Sequence, residues 1–156
     1  MATAIPSLAD LVEMISPSVI RIDTESGIGS GVIIETDVSD GSALVLTAHH
    51  VIDRASYIEV KVYDSETFNG TVVGIDETRA TALIRICCDV GFPPLRLGDA
   101  SVVKTGSDVI AIGYAQGFLL EGRATVTQCI VSAVRYSTEF KRWEIQTDAP
   151  LNPGNS

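Results

Sequence analysis

Basic residues are few in this chain: of 156 residues, 11 are Lys or Arg against 20 Asp or Glu, for a formal net charge of −9. Binding to nucleic-acid phosphates is driven by clustered cations, and no basic patch is visible, which argues against a nucleic-acid partner. Cysteine is scarce as well. Cys87 and Cys88 are adjacent and Cys129 is isolated, a spacing that suggests neither a disulfide framework nor a zinc site, so all three are expected as small buried apolar side chains. No metal and no cofactor is implied. Long apolar runs are missing too, and with them any expectation of a membrane span. The start, Met1-Ala2-Thr3-Ala4-Ile5-Pro6, has neither the basic nor the apolar region of an export signal. A signal trimmed before this numbering would leave the same start, so the compartment stays open.

Apolar residues, by contrast, make up 46% of the chain, enough to fill a core in one mid-sized domain or two small β units. Ser7 followed by Asp10, with Leu8, Leu11, Val12 and Ile15 on one face, predicts a capped helix that ends before Pro17 and packs on the edge of a barrel. From Val19 onward, β-branched runs are broken by Gly, Asp and Ser clusters at short intervals, the pattern of an all-β barrel or sandwich. Strands are expected over residues 19–23, 31–35, 43–48, 57–63, 71–75 and 83–87, enough to close one small barrel. Phe92-Pro93-Pro94 and Gly98-Asp99 give residues 91–106 a linker composition. Three further strands, over 108–114, 124–134 and 143–147, make about half of a matching barrel, which would need about three more strands after Ser156. The division read from sequence is therefore 1–17 (helix), 18–90 (first barrel), 91–106 (linker) and 107–156 (half of a second barrel).

The chemistry concentrates at the end of the chain, in Thr147-Asp148-Ala149-Pro150-Leu151-Asn152-Pro153-Gly154-Asn155-Ser156. A serine used in acyl transfer needs backbone N–H groups aimed at the developing oxyanion, and a Gly shortly before it lets the peptide curl without a side-chain clash. Gly154 and Ser156 would supply those two N–H groups. Pro153 presets one φ and pushes Asn152 toward extended geometry. Taken alone, the stretch reads as a plain Asn-Pro-Gly-Asn surface turn. What raises the functional reading is the rest of the chain. Its only two histidines, His49 and His50, are neighbours at the end of the third expected strand, and they are the only side chains available as a general base for such a serine. A structural role for a histidine at a strand end is the alternative. A triad also needs a carboxylate to hold the imidazole in the right tautomer.

Three motifs in order, Gly27-Ile28-Gly29-Ser30-Gly31-Val32-Ile33-Ile34, Leu46-Thr47-Ala48-His49-His50-Val51-Ile52, and Ile145-Gln146-Thr147-Asp148-Ala149 running into Asn152-Pro153-Gly154-Asn155-Ser156, resemble those of the trypsin-like serine endopeptidases of HtrA/Deg type. Leu97-Gly98-Asp99-Ala100-Ser101, Val109-Ile110-Ala111-Ile112-Gly113 and the stretch from Thr125 to Ala133 resemble that family's second-barrel strands, so the likeness covers nearly the whole chain. It implies two perpendicular six-stranded barrels with the active site between them. It implies His50, at the fourth position of Thr-Ala-x-His, as the base and Ser156 as the nucleophile, with His49 non-catalytic. Pro150, six residues before Ser156, falls where trypsin-like folds place the floor of the P1 pocket. An unfolded or extended polypeptide is the implied substrate, and a periplasmic or secreted setting the implied location.

The chain departs from the family in two places. The strand that in relatives opens with the triad Asp reads here Ala80-Thr81-Ala82-Leu83-Ile84-Arg85-Ile86, with Ala80 in the Asp slot. Asp76 and Asp53 are not positioned by motif to replace it. Loss of the orienting carboxylate costs about 10⁴ in kcat, so residual activity is expected. Relatives also continue past the nucleophile with Gly-Gly-Pro and the strands that wall the specificity pocket. Without them, unpaired strands would invite self-association. The sequence thus supports a serine endopeptidase domain, weakly active or inactive as written. Its rival is a non-catalytic pseudoprotease that captures extended peptides by strand addition.

Overall fold

The computed structural model describes residues 5–62, 66–88, 90–115 and 122–156. Helix α1 (Leu8–Ile15) starts where expected because Ser7 and Asp10 cap it reciprocally: the Asp10 N–H donates to the Ser7 hydroxyl at 3.2 Å and the Ser7 N–H to the Asp10 carboxylate at 3.1 Å. Its apolar stripe is only partly covered, with Leu11, Val12 and Ile15 half-buried and Leu8 and Met14 exposed. A 3₁₀ turn, Ser16–Ser18, with Pro17 inside it, then delivers the chain to the first strand.

Six strands close a barrel: β1 (Val19–Thr24), β2 (Gly27–Thr36), β3 (Ala43–Ala48), β4 (Glu59–Val62), β5 (Glu66–Asp76) and β6 (Thr81–Ile86), in the order β1-β2-β3-β6-β5-β4 with every neighbour antiparallel. Alternation decides which side faces in. Ile20 and Ile22 of β1, Val45 of β3, Val60 and Val62 of β4 and Ile84 and Ile86 of β6 are fully buried, and their period of two fills the lumen with β-branched side chains. Between β3 and β4 comes one short helix, α2 (His49–Ile52), anchored by the buried side chain of Ile52.

The second unit is an open sheet, β7 (Asp108–Gly113), β8 (Thr125–Ser137) and β9 (Arg142–Thr147), in sequence order. It is half of a second barrel. Val131 is fully buried and Cys129 nearly so, but Trp143 and Ile145 stand exposed on β9. The segment between the two units is tied to the first barrel, Leu95 N–H donating to the Ile33 carbonyl at 2.8 Å and the buried Ser18 hydroxyl to the Pro93 carbonyl at 2.6 Å.

Several boundaries differ from expectation. β2 begins at Gly27 rather than residue 31, because Gly27 to Ser30 pair with Thr24 to Arg21 across a tight turn. β5 likewise starts at Glu66 rather than 71, paired with β4. Tyr63, to which the fourth strand was expected to run, lies outside the described residues. The cysteine expectation holds for Cys129 and fails for the pair: β6 ends at Ile86, and Cys87 and Cys88 are exposed beyond the last inward position of the strand.

Candidate active site

Three neighbouring strands of the barrel bring the site together. β2 is paired with β3 through Gly31 and Thr47, and β3 with β6 through Ala48 and Thr81. One step beyond the last pair, the His49 N–H donates to the carbonyl of Ala80 at 2.9 Å. The turn carrying both histidines therefore sits against the backbone of Ala80. His50 is exposed and His49 half-buried. Among the described residues neither imidazole has a hydrogen-bond or ion-pair partner. The single turn of helix at residues 49–52 has no signature in the sequence, since four residues are too few to show a helical period.

The last stretch of the chain returns to this end of the barrel. Asn152 to Asn155 form a turn closed by the Asn155 N–H on the Asn152 carbonyl at 3.1 Å, with Pro153 second and Gly154 third. Gly154 has φ +99°, the left-handed backbone that the third position of a type II turn requires. The glycine before the serine is thus used as the sequence suggested. Ser156 itself is exposed.

Gly29 and Ser30 of β2 receive this turn. The Ser30 N–H donates to the backbone oxygen of Ser156, and the Ser30 hydroxyl donates to the Gly154 carbonyl at 2.6 Å. The same hydroxyl accepts the Tyr114 N–H at 2.8 Å, while the Ser30 carbonyl accepts the Thr47 hydroxyl at 2.7 Å. Gly29 is bare because space runs out: a Cβ there would lie 2.7 Å from the Ser156 oxygen and 2.5 Å from Cγ1 of Val51, one residue past His50. Ser156 and the histidine turn thus both rest on one glycine.

A cavity of about 540 Å³ opens between the barrel and the second sheet, with Ala48, Ala80, Ile110, Ile112, Leu151 and Ser156 among its walls. The positions named from sequence as nucleophile and missing carboxylate share that one space. Neither histidine nor Pro150, which is exposed, is among the lining residues. Ala80 carries φ +55°. The two aspartates nearest in sequence to His50 and Ala80 have partners of their own. Asp76 accepts the Arg79 N–H at 2.9 Å and its guanidinium at 2.7 Å, and the Arg79 side chain first, then its N–H, hold the carboxyl below the ordinary aspartate range. Asp53 is exposed and lies 4.0 Å from the Arg54 side chain. In sequence Ser30 reads only as part of a glycine motif, and its role as the junction of four hydrogen bonds leaves no local signal.

A closed six-stranded barrel beside half of a second, with a histidine turn and a serine turn both packed against Gly29 of β2, is the architecture of the trypsin-like peptidases. Residues 29–156 match the trypsin-like peptidase domain family. The chain is 35% identical over 177 aligned positions to the Do-like serine protease HtrA of Bacillus subtilis (strain 168), covering 96% of this chain and 38% of that protein. It is 38% identical over 132 positions to the periplasmic serine endoprotease DegP of Salmonella typhimurium, covering 83% of this chain and 26% of that one. The solved structure of the HtrA-type protease AlgW with a decapeptide superposes with a TM-score of 0.79 at 28% identity, over 97% of this chain and 54% of that one. The chain belongs to the trypsin-like peptidase domain family and, within it, to the HtrA/Deg type of serine protease. It spans well under half the length of these curated relatives.

Proposed function

We propose that this protease domain cleaves peptide bonds through an acyl-enzyme on Ser156. His50 takes the Ser156 Oγ proton as that oxygen bonds to the substrate carbonyl carbon, then returns a proton to the leaving amine. The N–H groups of Gly154 and Ser156 hold the oxyanion. In this reading residues 18–90 form the barrel that carries the base, 91–106 connect, and 107–156 begin the barrel that carries the nucleophile. The observation that carries the proposal is the shared seat on Gly29, against which the Ser156 backbone and the turn of His50 both pack.

Ala80 sets the level of activity. With no carboxylate to fix the tautomer and stabilise the imidazolium, turnover falls by about 10⁴. The substrate class is extended polypeptide, supported by the decapeptide named with AlgW. An extracytoplasmic setting is supported by relatives whose names call them periplasmic. Ala80 also favours a second reading, a pseudoprotease that binds extended peptides without cutting them.

Covalent labelling with a fluorophosphonate, followed by peptide mapping, tests the assignment. Slow labelling at Ser156, lost in His50→Ala and kept in His49→Ala, is expected. Labelling that depends on His49 instead would reverse the roles of the two histidines. Peptide binding without labelling, even in Ala80→Asp, would favour the pseudoprotease.

A further inference from the structure

Ser30, through its hydroxyl and its backbone together, bonds to the serine turn, to the second sheet and to β3. It is buried, at 8% exposure, and each of its polar groups is used. Its N–H meets Ser156, its hydroxyl donates to the Gly154 carbonyl at 2.6 Å and accepts the Tyr114 N–H at 2.8 Å, and its carbonyl takes the Thr47 hydroxyl at 2.7 Å. Thr47 lies on β3, two residues before the histidine turn. Tyr114 directly follows β7. The Ser30 hydroxyl therefore joins the serine turn to the second sheet, while its backbone joins that turn to the first barrel. Space at the joint is limited: a Cβ on Gly113 would fall 2.9 Å from the Ser30 Oγ and 3.3 Å from the Asn155 Oδ1.

We propose that Ser30 is a positioning residue for the nucleophile, its hydroxyl clamping the Gly154 carbonyl to the Tyr114 amide so that Ser156 keeps its place relative to the turn of His50. A hydroxyl suits the task because it is donor and acceptor at once. Alanine here would remove the hydroxyl's bonds to the Gly154 carbonyl and from the Tyr114 N–H, at a partly buried site where lost bonds are costly. The serine turn would stay attached through backbone contacts alone, free to shift by a fraction of an ångström. A displacement of about 1 Å is enough to cost about 10² in rate. The proposal rests on Ser156 being the nucleophile.

The test separates the clamp from that assignment. Amide hydrogen exchange, read by NMR on the whole chain, reports the clamp directly. In Ser30→Ala the Tyr114 amide is expected to exchange about tenfold faster, with the Val45 and Ile84 amides of the barrel unchanged, and Ser30→Thr, which keeps the hydroxyl, to restore it. In an Ala80→Asp background, Ser30→Ala is expected to slow the bonding step of fluorophosphonate labelling at Ser156 by about 10 to 10² while leaving the reagent's initial binding unchanged. Gly113→Ala, which crowds the same hydroxyl, should reproduce both effects and serves as the second arm if Ser30→Ala does not fold. An unchanged Tyr114 amide would overturn the clamp. Faster exchange with unchanged labelling would overturn its positioning role. No labelling in any variant, Ser30 intact included, would overturn Ser156 as nucleophile while the exchange result still decides whether the clamp exists.

Discussion

The backbone N–H of His49 donates to the carbonyl of Ala80 at 2.9 Å, so the turn bearing the proposed base is fixed to the residue proposed to stand in the triad Asp position. Ala80 is also held at φ +55°, a backbone that costs an ordinary L-residue about 1 kcal/mol and that Asp and Gly tolerate better.

Position 80 can therefore be probed with two substitutions that differ only in chemistry. Ala80→Gly and Ala80→Asp are both expected to stabilise the fold, by about 0.5 to 1 kcal/mol in urea denaturation, through relief of the left-handed strain. Only Ala80→Asp should also speed fluorophosphonate labelling of Ser156, by about 10³ to 10⁴. Equal labelling of the two variants would show that position 80 does not orient the base.

Gly29→Ala should damage fold and site together. Its Cβ would sit 2.5 Å from Val51 and 2.7 Å from the Ser156 oxygen, so either the histidine turn or the serine turn must move. Overpacking of this kind costs about 1 to 3 kcal/mol. Gly74→Ala, whose Cβ would meet nothing closer than 3.8 Å, is the control and should be close to neutral. Denaturation midpoints of the two variants decide the point, and a Gly29→Ala protein as stable as the control would mean that the contact is not tight.

How much of this is legible in the sequence varies with the range of the forces involved. β3 matches the expectation to the residue, because Ala43, Val45 and Thr47 alternate inward and Asp40-Gly41 breaks the chain just before them. The capping of α1 is equally local. β2 reads short in sequence because Gly27 to Ser30 offer a single β-branched side chain, Ile28, and pairing with β1 is what makes them strand. Cys87 reads as strand because it continues an apolar run, yet the pairing of β6 stops at Ile86. The motif assigns to Ser156 and His50 their proposed roles. It carries no sign of the role of the Ser30 hydroxyl, whose partners lie 84 and 124 residues away. Local patterns report local propensity, and a hydroxyl shared between two halves of a fold is set by tertiary packing alone.

Acid should loosen the turn that leads to Ala80. Asp76 has its carboxyl held below the ordinary aspartate range by the Arg79 side chain and N–H. Because its folded pKa is depressed, its contribution is present above the unfolded value and is lost as pH falls through the lower, folded one. The Arg79 amide signal is expected to titrate with a midpoint below that of a free aspartate, and Arg79→Ala to move the Asp76 midpoint back up. A wild-type midpoint at the free value would mean that the pair does not form in solution.

Specificity depends on where Asp148 is bound. A pocket that accepts Arg or Lys at P1 needs a carboxylate to pair with the incoming cation, since an unpaired charge in an apolar pocket is strongly disfavoured. Pro150 supplies none at the position expected to floor that pocket, and Asp148 is the nearest acidic residue in sequence. Alternation along the strand leaves its direction open. In the structure its Oδ1 accepts the Ile130 N–H at 2.8 Å, which ties the carboxylate to β8. Turning it toward a substrate would strip that amide of its partner. A domain restored by Ala80→Asp is therefore expected to prefer Val, Ala or Leu at P1. Peptidyl phosphonates carrying Val or Lys at P1 provide the measurement, with Ser156 labelled at least about tenfold faster by the Val reagent. Faster labelling by the Lys reagent would show that Asp148 leaves Ile130 when substrate arrives, or that another wall carries the charge.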